Sequence, residues 1–231
     1  MNRQTTAEVL DNPAWHSLNT KHAHLALGGI LAKKYPPEIA PVAALASPDP
    51  YAFAELSSLV SEAETVFMLG VEPPVPSSWS VKLQVLMVQM VCHSPIDTSL
   101  TGVDILELTK SDVPDMLALT SLTKVGPFRA RTYELGTYIG IRMHGELVSM
   151  AGEFLYPATY HEIHVVCTHP DFRGRGYASH LVGRLVNSNL EREITPFLLT
   201  TEQNEPGQFL YEKLGFVERR RIPMIAVERQ D

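Results

Sequence analysis

Residues 173–179 have the composition of a phosphate-binding turn. They read R-G-R-G-Y-A-S and follow a short β-branched run that ends at Pro170. From Ala178 to Val186, apolar residues recur at the spacing of one helix face. A strand, a glycine turn and a helix N-terminus in this order bring free backbone N–H groups together, and the helix dipole favours negative charge there. The pattern therefore predicts a cradle for a phosphate group.

Two common glycine turns do not fit this stretch. A P-loop needs a Lys-Ser or Lys-Thr pair after its last glycine, and no such pair follows a glycine here. A dinucleotide-binding turn needs a third glycine where this chain has Ser179. The chain has R-x-x-G-x-A instead, preceded by a strand end that reads V-x-T-x-P from Val166 to Pro170.

A second motif lies downstream, where residues 204–216 read N-E-P-G-Q-F-L-Y-E-K-L-G-F. The first pattern resembles the acyl-CoA-binding motif of the GNAT acetyltransferase superfamily. The second is similar to that superfamily's N-x-x-A-x-x-L-Y-x-K-x-G-F segment, with Gly207 where alanine is usual. The resemblance covers about residues 103–228, a little over half of the chain, whereas the first hundred residues show no resemblance that we recognise.

The resemblance implies an α/β (α+β) fold of the GNAT acyl-CoA N-acyltransferase type, with a mixed central sheet flanked by helices. In that fold two strands splay apart, and the pantetheine arm pairs with the exposed main chain between them. The amide of Val166 is then the expected donor to the thioester carbonyl. The residues expected to bind acetyl-CoA are Val166, Cys167, Thr168, Arg173, Gly174, Arg175, Gly176, Tyr177, Ala178, Ser179 and Asn204.

Acetyl transfer to an amine needs a base for the incoming ammonium and an acid for the leaving thiolate. Tyr211 stands where the superfamily often places a tyrosine beside the CoA sulfur, which implies the acid. Glu162 matches the strand glutamate that serves as base in the histone-type members. His164 is the alternative base, as is a water relay through either residue.

Strict alternation along the strand predicts which of these side chains share a face. It places Glu162 and His164 with Val166 and Thr168. Cys167 then points the other way, which disfavours a cysteine acyl-enzyme.

The resemblance therefore implies an N-acetyltransferase that moves an acetyl group from acetyl-CoA to a primary amine by direct attack on the thioester. One alternative is an acyltransferase with a different acyl-CoA donor, similar to glycine N-acyltransferases. Another is a non-catalytic acyl-CoA-binding module. The acceptor stays open, and the family places its contacts on the loop at residues 123–131, on the hairpin and on the final strands.

Hydrophobic periodicity and turn residues predict the elements that position these groups. The predicted helices cover residues 22–34 and 50–61, a stretch capped by Ser111, the stretch after the glycine turn, and a last helix that ends at Gly215. The predicted strands cover residues 65–69, 81–91, 105–108, 138–143, 147–154, 163–166 and 197–201, followed by the final strands at 216–227.

A polar stretch near residues 92–102 predicts two domains. Residues 1–98 would form an N-terminal α/β domain of unknown role, for which a degenerate GNAT-like fold without the phosphate turn is one interpretation. Residues 99–231 would form the GNAT domain. The run at residues 81–91 is apolar on both alternating faces, so we expect it to pack against or extend the GNAT sheet.

Composition excludes several other classes. The 231 residues carry a net charge of −7 and a pI near 5.7, whereas a nucleic-acid partner would need a basic face. No apolar run reaches the ~20 residues that a membrane span needs, and Cys92 and Cys167 form no disulfide pattern, so a cytoplasmic location is expected. The spacing of the histidines predicts no metal site. Whether the protein is a monomer or a homodimer stays undecided.

Overall fold

The computed structural model describes residues 8–97, 100 and 102–230, which form a mixture of helices and strands. The α-helices are α1 (Pro13–Asn19), α2 (Pro50–Leu59), α3 (Val113–Thr123), α4 (Tyr177–Glu191) and α5 (Glu205–Lys213). The strands are β1 (Leu27–Gly28), β2 (Ala32–Lys34), β3 (Ala43–Leu45), β4 (Thr65–Leu69), β5 (Trp79–Val91), β6 (Leu106–Leu108), β7 (Tyr138–Met143), β8 (Glu146–Glu153), β9 (Tyr160–Thr168), β10 (Thr195–Thr201) and β11 (Val217–Arg229). The predicted mixed α/β class is confirmed.

The chain divides into two compact units. The first comprises the residues up to Gln89, the segment Leu155–Ala158 and the chain from Arg220 onward, and the second comprises Met90–Phe154 and Thr159–Arg219. The long strands β5 and β11 therefore each contribute residues to both units. The boundary predicted between residues 98 and 99 falls outside the described residues and stays a prediction.

The first unit contains two sets of paired strands. β1, β2 and β3 form an antiparallel sheet, and β4 pairs antiparallel with β11, which is flanked by β5. Helix α2 begins at Pro50 behind an Asp49 cap and buries Phe53 and Leu56 in the apolar core of this unit. The ring of Trp79 lies edge-on to Phe53 in the same core.

The second unit is built on five strands in the order β10-β9-β8-β7-β6. All neighbours are antiparallel except β9 and β10, which are parallel. Gly152 and Glu153 are adjacent on β8 and therefore point to opposite faces. Gly152 lies against the ring of Tyr138, in the core cluster that includes Met116 of α3, whereas Glu153 accepts a hydrogen bond from Asn189 of α4 at 2.7 Å. Helices thus cover both faces of this sheet.

The segment after β5 is fixed to the second unit. The Cys92 amide donates to the Pro196 carbonyl of β10 at 3.0 Å. Asn187 of α4 then brackets Ile96, accepting from its amide at 2.8 Å and donating to its carbonyl at 2.9 Å. These bonds hold the described part of the predicted linker against β10 and α4.

The predicted helix at residues 22–34 is wrong. The structure has a short 3₁₀ helix at Ala23–Leu25 and then the strands β1 and β2. Gly28 explains the difference, because it adopts φ +116° and a Cβ there would lie 2.4 Å from the Ala32 carbonyl oxygen. The chain reverses tightly at this point, and apolar spacing alone could not show it.

The other predicted elements are present, with two local differences. Thr109 and Asp112 precede α3 and form a capping box, in which the Asp112 carboxylate accepts from the Thr109 amide at 2.9 Å. The predicted cap, Ser111, is therefore wrong. The predicted final strands are the single strand β11. The remaining predicted helices and strands differ from the structure by a few residues at their ends.

Candidate active site

Strands β9 and β10 are paired only where they begin. Residues 160–162 pair with residues 195–197, although the strands continue to Thr168 and Thr201. Beyond the paired residues the two strands share no ladder. The carboxyl half of β9 therefore has main-chain groups on one edge that β10 does not use.

A cavity of about 690 Å³ is lined by the end of β9, the glycine turn and α5. All the residues predicted to bind acetyl-CoA line it, together with Tyr211: Val166, Cys167, Thr168, Arg173, Gly174, Arg175, Gly176, Tyr177, Ala178, Ser179 and Asn204. Thr123 and Val125, from the loop predicted to contact the acceptor, also line it, as do Phe209 and Lys213 of the second motif. Glu162 and His164 are not among the residues that line this cavity.

The turn that precedes α4 has the geometry of an anion cradle. Gly174 and Gly176 adopt φ +73° and φ +79°, the left-handed region that side chains rarely occupy. The His180 amide makes the first helical bond, to the Gly176 carbonyl at 3.0 Å. The amides of residues 177–179 consequently have no partner within the helix and are available to an anion.

Two arginines place positive charge beside these amides. Arg173 donates through Nε to the Thr168 carbonyl at 3.4 Å. Arg175 lies over the ring of Phe172, with its guanidinium carbon 5.0 Å from the ring centroid. Both arginines are exposed, so their charges remain open to a ligand. The residues present fit a pyrophosphate, since fixed amides and exposed cations meet at one turn.

A β-bulge at Val165 changes the faces of β9. Met150 and Gly152 lie on the same face of β8, and they pair with Cys167 and His164 respectively. Three steps along β9 thus match two steps along β8, and Val165 takes up the extra residue at φ +52°.

The predicted common face is therefore wrong. Glu162 and His164 share their face with Cys167, and Thr168 lies on the opposite face, where its hydroxyl contacts Ser149 Oγ at 2.8 Å. Val166 lies next to Cys167 along the strand, so it shares the face of Thr168. The alternation argument against a cysteine acyl-enzyme fails with it, but burial raises the pKa of the Cys167 thiol to about 11, and a protonated thiol is a poor nucleophile.

Tyr211 is held by the C-terminal structure of α5. The Gly215 amide donates to the Glu212 carbonyl at 3.0 Å, and the Phe216 amide donates to the Tyr211 carbonyl at 3.0 Å. These two bonds form a Schellman motif, with Gly215 at φ +86°. The Phe216 ring completes it by packing edge-on against Tyr211 with centroids 5.9 Å apart. The last residues of the second motif thus fix the tyrosine that faces the cavity.

Asn204 caps the other end of α5. Its Oδ1 accepts from the Gly207 amide at 3.2 Å, and its Nδ2 donates to Thr200 Oγ1 at 3.0 Å. A Cβ at Gly207 would lie 2.3 Å from Asn204 Nδ2. The glycine at this position, where the superfamily usually has alanine, is therefore required by the way Asn204 is placed here.

Tyr211 remains protonated over the whole neutral range. Burial, followed by the negative charge that Cys167 would carry, raises the pKa of Tyr211 to about 12. The hydroxyl is consequently a hydrogen-bond donor at neutral pH. It lines the cavity together with Cys167.

A second polar cluster lies on the α3 face of the sheet, and we call it the Tyr138 cluster. It consists of Tyr138, Glu162 and His164, which are joined laterally because Tyr138 pairs with Gly152 and Gly152 pairs with His164. His164 Nδ1 is 3.5 Å from Glu162 Oε1. Three buried atoms of the cluster have no hydrogen-bond partner in the described part of the chain: Tyr138 Oη, Glu162 Oε2 and His164 Nε2.

The sequence did not point to Tyr138, because the register of the hairpin hides it. A two-residue turn at His144 and Gly145 would pair Tyr138 with Ala151. A register shift at Ile141 and Arg142 moves the pairing to Gly152. The only available signal was this glycine inside an apolar strand, which often marks a close approach by another group.

Among the described residues, no group of three or more histidine, cysteine, aspartate or glutamate side chains could hold a metal ion. Within the same residues, every helix is too short or too polar to cross a lipid bilayer.

A parallel strand pair that separates beside a glycine turn, with a tyrosine on the following helix, is the arrangement that the resemblance to GNAT acyltransferases implied. The FR47-like family model matches residues 138–223. A GNAT-family acetyltransferase structure from Novosphingobium aromaticivorans DSM 12444 is similar over 96% of this chain and 99% of its own, with 32% identity and a TM-score of 0.87. The chain therefore belongs to the GNAT family, as its two motifs predicted.

Two more distant structures share the fold over almost the whole chain. The alignment with a GCN5-related N-acetyltransferase from Kribbella flavida covers 95% of this chain and 96% of the Kribbella chain, with 11% identity and a TM-score of 0.65. A GCN5-related N-acetyltransferase-like protein from Streptococcus suis 89/1591 covers 99% and 98% at 14% identity and a TM-score of 0.60. A search of curated proteins by sequence finds no match. The likeness to these structures includes the first hundred residues, in which no family motif was found.

Proposed function

We propose that this protein transfers an acetyl group from acetyl-CoA to a primary amine. The observation that carries the proposal is the single cavity shared by the glycine turn, the unpaired end of β9 and Tyr211. This arrangement offers a place for each part of an acyl-CoA molecule. Acetyl-CoA, when bound, supplies the thioester that the acceptor nitrogen attacks.

The turn and the strand end have separate binding roles. The amides of residues 177–179, with Arg173 and Arg175, hold the pyrophosphate. The main chain of Val166 and Thr168 pairs with the pantetheine arm, as an added strand pairs with a sheet edge. The Val166 amide donates to the thioester oxygen as that oxygen gains negative charge.

Tyr211 acts on the leaving sulfur. With a pKa raised to about 12, its hydroxyl is protonated when the thiolate departs. Complete proton transfer to a thiolate of pKa about 8.5 would be uphill by roughly 5 kcal/mol. Tyr211 therefore stabilises the thiolate chiefly by donating a hydrogen bond. The products are then the amide and the CoA thiolate, together with the protons that the acceptor nitrogen releases.

Glu162 and His164 are the groups that take up those protons. They lie on β9 beside the bulge, outside the set of residues that lines the cavity. Either residue serves as the base directly or through a water molecule. The pair is suited to this role because Glu162 Oε2 and His164 Nε2 have no partner within the described residues.

The experiment that tests the proposal measures release of free thiol from acetyl-CoA in the presence of a panel of primary amines. Tyr211→Phe should lower kcat more than it weakens acetyl-CoA binding, because the hydroxyl is needed only as the thiolate leaves. Tyr51→Phe, which alters a tyrosine that is 76% exposed, is the matched control. Tight binding of acetyl-CoA without thiol release for any amine would refute the transferase and favour the non-catalytic module.

A further inference from the structure

The Tyr138 cluster has polar atoms that the fold itself does not use. Tyr138 is 1% exposed and Glu162 is 3% exposed, and burying a polar group without a partner costs about 1–3 kcal/mol. Three such atoms on one face of one sheet indicate a group that completes their hydrogen bonds. The Tyr138 hydroxyl is not needed to close the core, since phenylalanine at position 138 would fill the same space.

The fold makes room for Tyr138 at this place. A Cβ at Gly152 would lie 2.2 Å from the Tyr138 ring, so the ring lies directly over the Gly152 backbone. That glycine stands between β7 and β9 and lets the ring reach across toward Glu162 and His164. The negative charges of Glu162 and Glu153, after burial itself, raise the pKa of Tyr138, which keeps its hydroxyl neutral.

The three unpartnered atoms can all accept hydrogen bonds. Glu162 Oε2 is a carboxylate oxygen, and a neutral tyrosine hydroxyl has lone pairs as well as its proton. His164 Nδ1 faces the other oxygen of Glu162 at 3.5 Å, which favours the tautomer with the proton on Nδ1 and leaves Nε2 as an acceptor. Three acceptors match the three N–H groups of a primary ammonium ion.

The surroundings select the rest of the acceptor molecule. The His164 ring is stacked on Phe154 with centroids 4.3 Å apart and an angle of 17°, so aromatic surface adjoins the carboxylate. Aromatic faces and a carboxylate together favour a cation. Since Tyr138 and Glu162 are almost fully covered, only a narrow chain can bring a charged group to them. A carboxylate next to the amine would be repelled by the negative charge of Glu162.

We propose that Tyr138, Glu162 and His164 bind the acceptor's primary ammonium group, presented at the end of an unbranched carbon chain that has no neighbouring carboxylate. Tyr138 is a binding residue for the acceptor, and it orients the nitrogen while Glu162 or His164 removes the proton. This inference rests on the proposed amine acetylation and gives it a substrate class and a further residue.

The test compares four amines of equal chain length: n-hexylamine, N-methylhexylamine, 2-aminohexane and norleucine. Hexylamine binding to the CoA-saturated protein is measured by calorimetry, and thiol release from acetyl-CoA is measured separately. Wild-type protein should bind and use hexylamine at least tenfold better than the other three amines. Tyr138→Phe should weaken hexylamine binding about tenfold, leave the acetyl-CoA Kd unchanged and leave Tm unchanged or higher, because it removes a buried unpartnered hydroxyl.

Several outcomes would overturn the inference. They are an unchanged hexylamine Kd in Tyr138→Phe, equal use of norleucine, or no hexylamine binding by the wild-type protein. Gly152→Ala, which forces the Tyr138 ring aside, should reproduce the loss of hexylamine binding, and Tyr51→Phe should not. Turnover with other amines but no hexylamine binding would sink this inference and leave the proposed function standing. Hexylamine binding that depends on Tyr138, without any thiol release, would support this inference and refute the proposed function.

Discussion

Replacing Gly176 by leucine separates the phosphate cradle from general stability. Gly176 adopts φ +79°, where an L side chain costs about 1–2 kcal/mol. The nearest atom to a Cβ there is Leu100 Cδ2 at 3.5 Å, an ordinary contact, so the Cβ itself adds no clash with the described residues. Each kcal/mol lowers Tm by roughly 2–4 °C in a chain of this size, so we expect a decrease of roughly 2–8 °C.

The hairpin glycine Gly145 provides a matched control. It adopts φ +87°, a Cβ there would meet nothing within 4 Å, and it does not line the cavity. Gly145→Leu should therefore lower Tm by a similar amount without touching the cradle. Any difference in CoA binding between the two variants then reports the cradle alone.

The expected loss of affinity follows from the amides at the start of α4. A leucine side chain at position 176 keeps a pyrophosphate away from this backbone and removes at least one hydrogen bond to a charged group, worth about 1.5–3 kcal/mol. The Kd for CoA should rise roughly 10- to 150-fold. Calorimetry with CoA, well below both melting temperatures, measures it. An unchanged Kd in Gly176→Leu would refute the cradle, and an equal rise in Gly145→Leu would show that the loss is global.

Three further predictions concern helix α5, which carries Tyr211, and the tyrosines whose pKa values are raised by burial. Tyr211→Phe should reduce kcat at least tenfold with little change in acetyl-CoA affinity, and a wild-type kcat in the thiol-release assay would show that Tyr211 only packs. Gly207→Ala should destabilise the protein by about 1 kcal/mol in thermal unfolding, because a Cβ 2.3 Å from Asn204 Nδ2 displaces that cap; in the background of Asn204→Ala the same change should cost nothing. Stability should fall above pH 10, since Tyr138 and Tyr211 have pKa values raised above the ordinary 10.0 and hold their protons when the unfolded chain loses them. Tyr138→Phe should make this alkaline loss less steep, and equal slopes would contradict the burial of that hydroxyl.

The parts of the site that the sequence predicted are those that local structure determines. The turn before α4 needs positive φ at positions 174 and 176, and glycine is the residue that adopts such angles without strain. The Schellman end of α5 needs Gly215 and the apolar Phe216 after Tyr211. Each of these depends on a few consecutive residues, so a motif states it completely.

The parts that escaped prediction depend on pairing between strands. The shift at Ile141 and Arg142 and the bulge at Val165 each add one residue to one strand of a pair. One such residue reverses the face of every side chain beyond it. Alternation counted along β9 therefore assigned Val166 and Cys167 to the wrong faces. No residue type in this stretch announces a bulge, since Val165 is β-branched and unfavourable at φ +52°.

Main-chain and side-chain functions differ in how they respond to such a shift. Every residue carries an N–H and a C=O, so the end of β9 can pair with a pantetheine arm whichever way its side chains point. Glu162 and His164 can act only through side chains, and the bulge decides that these share a face with Tyr138 and not with Val166. A family motif that describes backbone binding consequently does not depend on the face that each side chain takes. The acceptor side has to be read from the register, and there the tyrosine that no motif contains is the residue to test first.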